Sequence, residues 1–206
     1  MVQLTDYNLP DIGFVEKHSQ GVFTWTPDAV YVVLGQRDKP ETALAANLPD
    51  DKAFFVTKRP SGGHSVVLTP NTLVVSIHGK SPDITKTKQW FQACSNAILN
   101  SLHRCGLVDA HISGISDITI NNRKILGSSM YRGKDKVWWH GVLNISENPA
   151  FISSFLAHPA TEPDYRKQRN HEDFITSIVA QGLAFNASEF EKYLTDEISN
   201  TIIPST

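Results

Sequence analysis

An α+β domain, built on a single mixed β-sheet with flanking helices, is predicted by the order in which the hydrophobic period changes along the chain. Short β-rich runs fill the sequence ahead of residue 80, one amphipathic stripe follows over 84–105, and a hairpin and a further strand precede a helical last third. The 206 residues are 40% hydrophobic and 19% charged, enough apolar material for one core, so 1–206 is read as a single domain.

The early runs are VFTW (22–25), AVYVVLG (29–35), AFFVT (53–57), HSVVL (64–68) and TLVVSI (72–77), rich in Val, Thr and aromatic residues and bounded by turn formers. Apolar or small residues then recur at Ile84, Trp90, Phe91, Cys94, Ala97, Ile98, Ser101, Leu102 and Cys105, the spacing of one helical face, and Gly106 stands where that helix should stop. Both cysteines fall on the stripe and read as small buried hydrophobes, not as nucleophiles or metal ligands.

DITI (117–120), Asn121-Asn122 and RKILG (123–127) predict a hairpin, because paired asparagines accept the positive φ angles of a two-residue turn. Such a turn sets Ile120 against Arg123, Thr119 against Lys124 and Ile118 against Ile125. The isoleucines then share one face, and Asp117, Thr119 and Lys124 share the other. VWWHGVLNI (137–145) supplies the next strand, and Ser188 and Glu191 are spaced as a capping box before FEKYLTDEI.

The charge balance argues against nucleic acid as a principal partner: 19 basic and 21 acidic residues leave a formal charge of −2, so any anion site must be local. The first residues, MVQLTDYNLPDIGF, lack the pattern of a secretory or transit peptide, and no apolar run has membrane-spanning length. With two cysteines in the chain, a disulfide framework is not expected and a reducing cytoplasm is.

Residues 58–68, KRPSGGHSVVL, pose the functional question. Gly62 and Gly63 can present consecutive N–H groups to an anion at close range, and Arg59 can add a charge-assisted hydrogen bond, which makes a phosphate or carboxylate cradle. Plain turn chemistry explains the same residues. Neither the GxxxxGK[ST] loop nor a GxGxxG opening a helix is present. Lys124 is equally two-sided, an edge charge or a site lysine. The order of a glycine turn, a lysine facing an aspartate and a later His140-Gly141 is more specific than any one of them.

That order resembles the biotin/lipoate protein ligase and acyltransferase superfamily, most closely its lipoate-protein ligase A branch. The matching stretches are KRPSGGHSV (58–66), SGISDITI (113–120), NRKILGSS (122–129) and WWHGVLNIS (138–146), with AVYVVLGQRD (29–38) similar to the family's early strand and HPATEPDYRKQRNHEDFITSI (158–178) similar to the segment after its site strands. The likeness covers roughly residues 20–180. It implies the family's α+β catalytic fold and transfer of an acyl group from an acyl-adenylate to a lysine of a carrier protein domain, of E2 or H-protein type.

By the resemblance, Lys124 is the catalytic residue, a fixed cation stabilising charge that develops on the adenylate. Arg59, Ser61, Gly62 and Gly63 line the adenylate side, with His64 and Val66 beside them, and Asp117 orients Lys124. Gly127, Ser128 and Ser129 border the acyl and phosphate groups, and His140 and Gly141 help close the pocket. The implied cofactors are ATP and lipoate, joined as lipoyl-AMP, with magnesium as a candidate ion.

The sequence departs from the family pattern at three places. His64 replaces a third turn glycine, Leu68-Thr69 replaces a His-Asp pair, and Ser116 replaces an asparagine. The family's C-terminal accessory domain is expected to be absent, so a small accessory ligase subunit is a candidate partner. Lipoate ligase is the leading reading. An octanoyl or lipoyl transferase, which needs an acyl-carrying cysteine, and a non-catalytic lipoate- or adenylate-binding protein are the alternatives.

Overall fold

The expected strands all form, but they are divided between two sheets instead of one. The computed structural model describes residues 3–17, 20–51, 53–80, 87–134 and 136–201, so Ile84 of the predicted helix lies outside the described residues. The first sheet joins β1 (Leu4–Asp6), β3 (Val30–Leu34), β4 (Phe54–Lys58) and β5 (Val66–Leu68) in the order β1-β4-β3-β5. It is mixed: β1 and β3 run parallel to β4, and β5 antiparallel to β3. The second sheet is antiparallel and holds β2 (Gly21–Trp25), β6 (Thr72–Lys80), β7 (His111–Ser113), β8 (Asp117–Ile120), β9 (Arg123–Arg132) and β10 (Lys136–Asn144), in the order β2-β6-β10-β9-β8-β7.

The physical reason for two sheets is the corner after β5. Thr69 N–H donates to Thr72 Oγ1 at 3.0 Å, Thr72 Oγ1 donates back to the Thr69 carbonyl at 2.8 Å, and Thr69 Oγ1 donates to Glu147 at 2.6 Å. This locked turn hands the chain from the first sheet to the centre of the second. Leu68 and Thr69, two of the departures from the family pattern, therefore serve the fold: one is in the core and the other ties the corner.

Three apolar clusters hold the layers. After two short helices, α1 (Pro10–Glu16) and α2 (Pro40–Ala43), helix α3 (Thr87–Arg104) lays Cys94, Ala97, Ile98 and Leu102 on the second sheet, joined by Phe190, Leu194 and Ile198 of α6 (Ala187–Thr201). Burying each such Leu or Ile contributes about 1.5–3 kcal/mol. Gly106 ends the helix as expected, at φ 89°, letting Leu107 N–H return to the Leu102 carbonyl at 3.0 Å. Cys105 lies one residue past the helix and is half-buried, while Cys94 is fully buried. Ile152, Phe155 and Leu156, in and after α4 (Pro149–Ser153), cover the first sheet. Leu9, Val33, Leu68 and Val74 join the sheets. The cap of α6 differs from the expected box: Asn186 Oδ1 accepts from the N–H groups of Ser188 and Glu189 at 3.0 and 3.2 Å, so the helix starts before Ser188. Among the described residues no helix is long and apolar enough to cross a membrane.

Candidate active site

The hairpin carrying Lys124 closes as predicted at its tip and departs one step later. Asn121 and Asn122 have φ 52° and 59°, and Ile120 pairs with Arg123 and Thr119 with Lys124. Ile118 then pairs with Leu126, not Ile125. The extra residue is a β-bulge, and both Ile125 and Leu126 turn into the core. Because two successive residues face inward, Lys124 and Gly127 come out on the same side, which a regular strand would forbid. A Cβ at Gly127 would lie 3.5 Å from Lys124 Nζ and 3.7 Å from Asp117 Oδ1. Lys124 Nζ stands 3.5 Å from Asp117 Oδ2, with both side chains about three-quarters buried or more, at 25% and 19% exposure.

The glycine turn is organised from beneath by Arg59. Its guanidinium, 5% exposed, donates to Ser61 Oγ (3.0 Å) and to the carbonyls of Val33 (3.2 Å), Gly62 (2.7 Å) and His64 (2.8 Å). With its Nε and Nη2 donors committed to the turn, Arg59 shapes the cradle, and it also lines the cavity beside His140. Burial lowers its pKa to about 10, so it stays charged. The turn's carbonyls point inward, and among the described residues no hydrogen bond leaves the N–H of Gly62 or Gly63. Gly63 has φ 78°, and its carbonyl lies so close to Gly35 that a Cβ there would approach to 1.8 Å.

One row of cross-strand neighbours on the second sheet meets this turn. Ser76, His140 and Ser129 stand side by side on β6, β10 and β9. Ser129 Oγ donates to the Gly62 carbonyl at 2.7 Å, and His140 Nε2 lies 2.6 Å from Ser61 Oγ. With Ser61 Oγ accepting from Arg59, its own proton can go to His140 Nε2, which then leaves the imidazole proton on Nδ1. Burial and then the Arg59 charge push the His140 pKa down to about 3, so the ring is neutral. Ser76 Oγ donates to Asp11, which also accepts from the Tyr7 hydroxyl at 3.0 and 3.1 Å. Burial raises the Asp11 carboxyl to about 6 against these hydrogen bonds. Ser128 Oγ donates to Ser116 Oγ at 2.9 Å, a use for the serine that replaces the family's asparagine. Gly141 lines the site, and a Cβ there would come within 2.7 Å of the Trp139 ring, so its absence makes room for that ring.

Two cavities flank Lys124. One, of about 220 Å³, is bounded by Tyr7, Val33, Leu68, Val74, the glycine turn and His140. The other, of about 230 Å³, takes walls from both sheets and from the 152–175 segment, including Val67, Ile152, Leu156, Phe174 and Ile175. Lys124, Gly127, His64 and Val66 line both. His64 is exposed, and its Nε2 lies 3.0 Å from Thr161 Oγ1 across the mouth.

The 158–178 segment adds residues that no single position in the sequence singled out. Tyr165 donates to Asp117 Oδ2 at 2.6 Å, and burial and that carboxylate drive its phenol pKa upward. Helix α5 (His171–Phe174) brings Phe174 under Lys124, Arg166 and Arg169, whose cationic centres stand 4.9, 4.6 and 5.3 Å from its ring centroid. Burial, then Arg166 and Lys124, hold His171 near pKa 4 and neutral. The signal was present as a tyrosine, two arginines and a histidine within PDYRKQRNH, in a stretch otherwise reading as turn. Among the described residues, no group of three or more His, Cys, Asp or Glu side chains is placed to hold a metal ion.

The chain is similar to lipoate-protein ligase LplJ of Bacillus subtilis, 24% identical over 174 residues, covering 84% of this chain and 49% of the relative. It therefore spans about half the length of that curated relative. Among solved structures, it superposes on the bi-partite lipoate protein ligase of Thermoplasma acidophilum, described with its E2 lipoyl domain, at TM-score 0.75 and 19% identity, over 91% of this chain and 75% of that one. Lipoate-protein ligase A bound with ATP gives TM-score 0.74 at 18% identity, over 98% and 84%. These likenesses establish the shared fold. A family model, the lipoyl protein ligase A/B catalytic domain, matches residues 8–199, and the chain belongs to that family.

Proposed function

We propose that this protein is a lipoate-protein ligase, or its catalytic subunit, transferring a lipoyl group from lipoyl-AMP to a lysine of a carrier domain. The observation that carries the reading is the place of Lys124, a cation at the junction of two cavities and lining both. An acyl-adenylate has two unlike halves joined at one mixed anhydride, and a lysine at the junction meets that linkage. The cavity bounded by Tyr7, Val33, Leu68 and Val74 suits the acyl chain, and the one walled by the 152–175 segment suits the nucleotide. On this reading the glycine turn would lie beside the acyl group near the linkage instead of on the adenylate side.

In the transfer step the carrier's ε-amine attacks the acyl carbonyl, a C–N bond forms, the carbonyl C–O bond to AMP breaks, and AMP leaves with the electron pair while the amine gives up its proton. Charge collects on the carbonyl and phosphate oxygens, where Lys124 is placed to stabilise it. The His140 ring is neutral, and the Arg59 charge on that side is held by hydrogen bonds to the turn.

The transferase alternative needs a thiolate at the site. Cys94 is fully buried with its thiol pKa pushed up by burial, Cys105 is raised by burial and then Glu189, and neither lines a cavity. The archaeal neighbour is described as a bi-partite ligase, which supports a second chain here; making the adenylate from ATP and lipoate is the role we propose for the pair.

The test is mass spectrometry of a lipoyl carrier domain incubated with synthetic lipoyl-AMP and this chain. The parent should add one lipoyl group, and Lys124→Ala should not while keeping its fold. Modification at the parent rate by Lys124→Ala would refute the assignment.

A further inference from the structure

We infer that the His64 imidazole is the proton acceptor for the amine that enters the site, taking the surplus proton of the carrier's lysine ammonium as transfer begins. The inference rests on the ligase reading for its reaction, and on the placement of the ring for its assignment. A lysine ε-amine titrates at about 10.4, so on the order of one in a thousand is free to attack at about pH 7. A base beside the linkage removes that handicap. Among the described residues, Lys124 and His64 are the titratable side chains that line both cavities. The Lys124 ammonium has no lone pair to offer, which leaves the imidazole. The side chain stands where the family pattern has a third turn glycine, so this chain carries an added group at that point.

The other groups that could take a proton near the linkage are occupied. His140 and His171 are held near pKa 3 and 4, by burial first and neighbouring charge second, and His140 Nε2 already meets Ser61 Oγ. Asp117 Oδ2 receives the Tyr165 hydroxyl and stands beside the Lys124 ammonium. Asp38 lines the cavity walled by the 152–175 segment, but its Oδ2 accepts from Ser65 Oγ at 2.7 Å. The Tyr7 phenol donates to Asp11. Of all these groups His64 is the exposed one, so a proton that it takes passes on to water.

Three anchors fix the ring at the mouth. The His64 carbonyl accepts from Arg59 Nη2 at 2.8 Å, the next residue is tied through Ser65 Oγ to Asp38, and His64 Nε2 lies 3.0 Å from Thr161 Oγ1. A hydroxyl serves either side of that last bond. With Thr161 accepting from Nε2–H, the Nδ1 lone pair is left for a proton, and the tie to Thr161 survives protonation. The lysine arrives as an ammonium, its surplus proton moves to His64 and on to water, and the freed lone pair forms the C–N bond to the acyl carbonyl. The carbonyl C–O bond to AMP breaks, its electron pair leaves on AMP, and the nitrogen sheds one more proton to solvent as the amide forms. Nothing is oxidised or reduced.

The experiment measures single-turnover transfer from synthetic lipoyl-AMP to two nucleophiles, a lipoyl carrier domain and hydroxylamine, for the full chain as parent, His64→Gln and His64→Gly, with rates taken above the protein-free reaction. Hydroxylamine is uncharged at neutral pH and needs no base to free its lone pair. His64→Gln, whose amide can keep the tie to Thr161, should slow transfer to the carrier at least about tenfold and leave transfer to hydroxylamine within about twofold of the parent. His64→Gly decides the matter if the glutamine variant does not fold, and added imidazole should raise its carrier rate. Equal slowing towards both nucleophiles would make His64 a structural residue and overturn the role. A parent-like carrier rate in a folded variant, or a glycine variant indifferent to imidazole, would overturn it too. A parent that acylates neither nucleophile sinks the ligase reading and this role with it, whereas transfer to both nucleophiles by parent and variants alike sinks the role of His64 and keeps the reading.

Discussion

Tyr165 holds Asp117 more closely than Lys124 does: its hydroxyl donates to Asp117 Oδ2 at 2.6 Å, while the Lys124 ammonium stands 3.5 Å from the same oxygen. That oxygen is thus already engaged by the phenol, and the lysine stands beside it without being clamped. Removing the hydroxyl in Tyr165→Phe should let Lys124 close on Asp117 and slow single-turnover transfer from lipoyl-AMP about tenfold, ~1.4 kcal/mol. The ring contact with Phe174, 5.2 Å between centroids, should preserve the fold. A parent-like rate would remove Tyr165 from the site.

Two glycines should respond to alanine in opposite ways. At Gly35 the new Cβ would fall 1.8 Å from the Gly63 carbonyl, so Gly35→Ala must displace the glycine turn and should lower stability by about 3 kcal/mol in denaturant unfolding. At Gly127 the nearest atoms are Lys124 Nζ at 3.5 Å and Asp117 Oδ1 at 3.7 Å, an ordinary contact. Gly127→Ala should therefore unfold within about 1 kcal/mol of the parent while losing transfer activity. Equal stability losses at both positions would contradict this.

His140 should remain neutral across about pH 5 to 8, with its proton on Nδ1. Its pKa falls from 6.5 to about 3 in the fold, so the stability tied to the neutral ring is fully present above 6.5 and is lost as pH drops towards 3. Nitrogen-15 NMR of the labelled imidazole checks both statements. A titration near 6.5, or an N–H signal at Nε2, would show that the Ser61 hydroxyl is not the donor.

Asp11 has the opposite sign. Its folded pKa, about 6, lies above the ordinary 3.8, so its contribution is fully present below 3.8 and disappears as pH rises through 6. The stability of Asp11→Asn relative to the parent should therefore improve between about pH 4 and pH 7, by about 2–3 kcal/mol, read from unfolding midpoints at each pH. A pH-independent difference would place an unseen cation beside Asp11.

Local chemistry was legible where neighbours in sequence are neighbours in space. Asn121-Asn122 named the turn, the turn set the first two pairs, and these brought Lys124 to Asp117. The bulge was not legible, because the choice between Ile125 and Leu126 as partner of Ile118 is made by the core behind the hairpin, which accepts both. A cation before a glycine turn carries no sign of which way the turn's carbonyls point, and here those of Gly62 and His64 point at Arg59. Tyr165 lies 48 residues from Asp117, and only the docking of the last third of the chain reveals the pair. The division into two sheets follows from the corner at Thr69, whose partner Glu147 is 78 residues away.

The backbone of Lys124 bears on how the protein is born. Its carbonyl accepts from the Thr176 N–H at 2.9 Å, and Lys124 forms a parallel bridge with Ile175. At about 5–20 residues per second, a ribosome emits Thr176 roughly 3–10 s after Lys124. For most of that interval a nascent chain can carry the hairpin and still lack Phe174 and one side of the cavity that Lys124 shares with the 152–175 segment. Messenger pauses downstream of the hairpin would thus delay chemistry without delaying the sheet, and a truncated product ending before Thr176 would display the reactive lysine with nothing to receive.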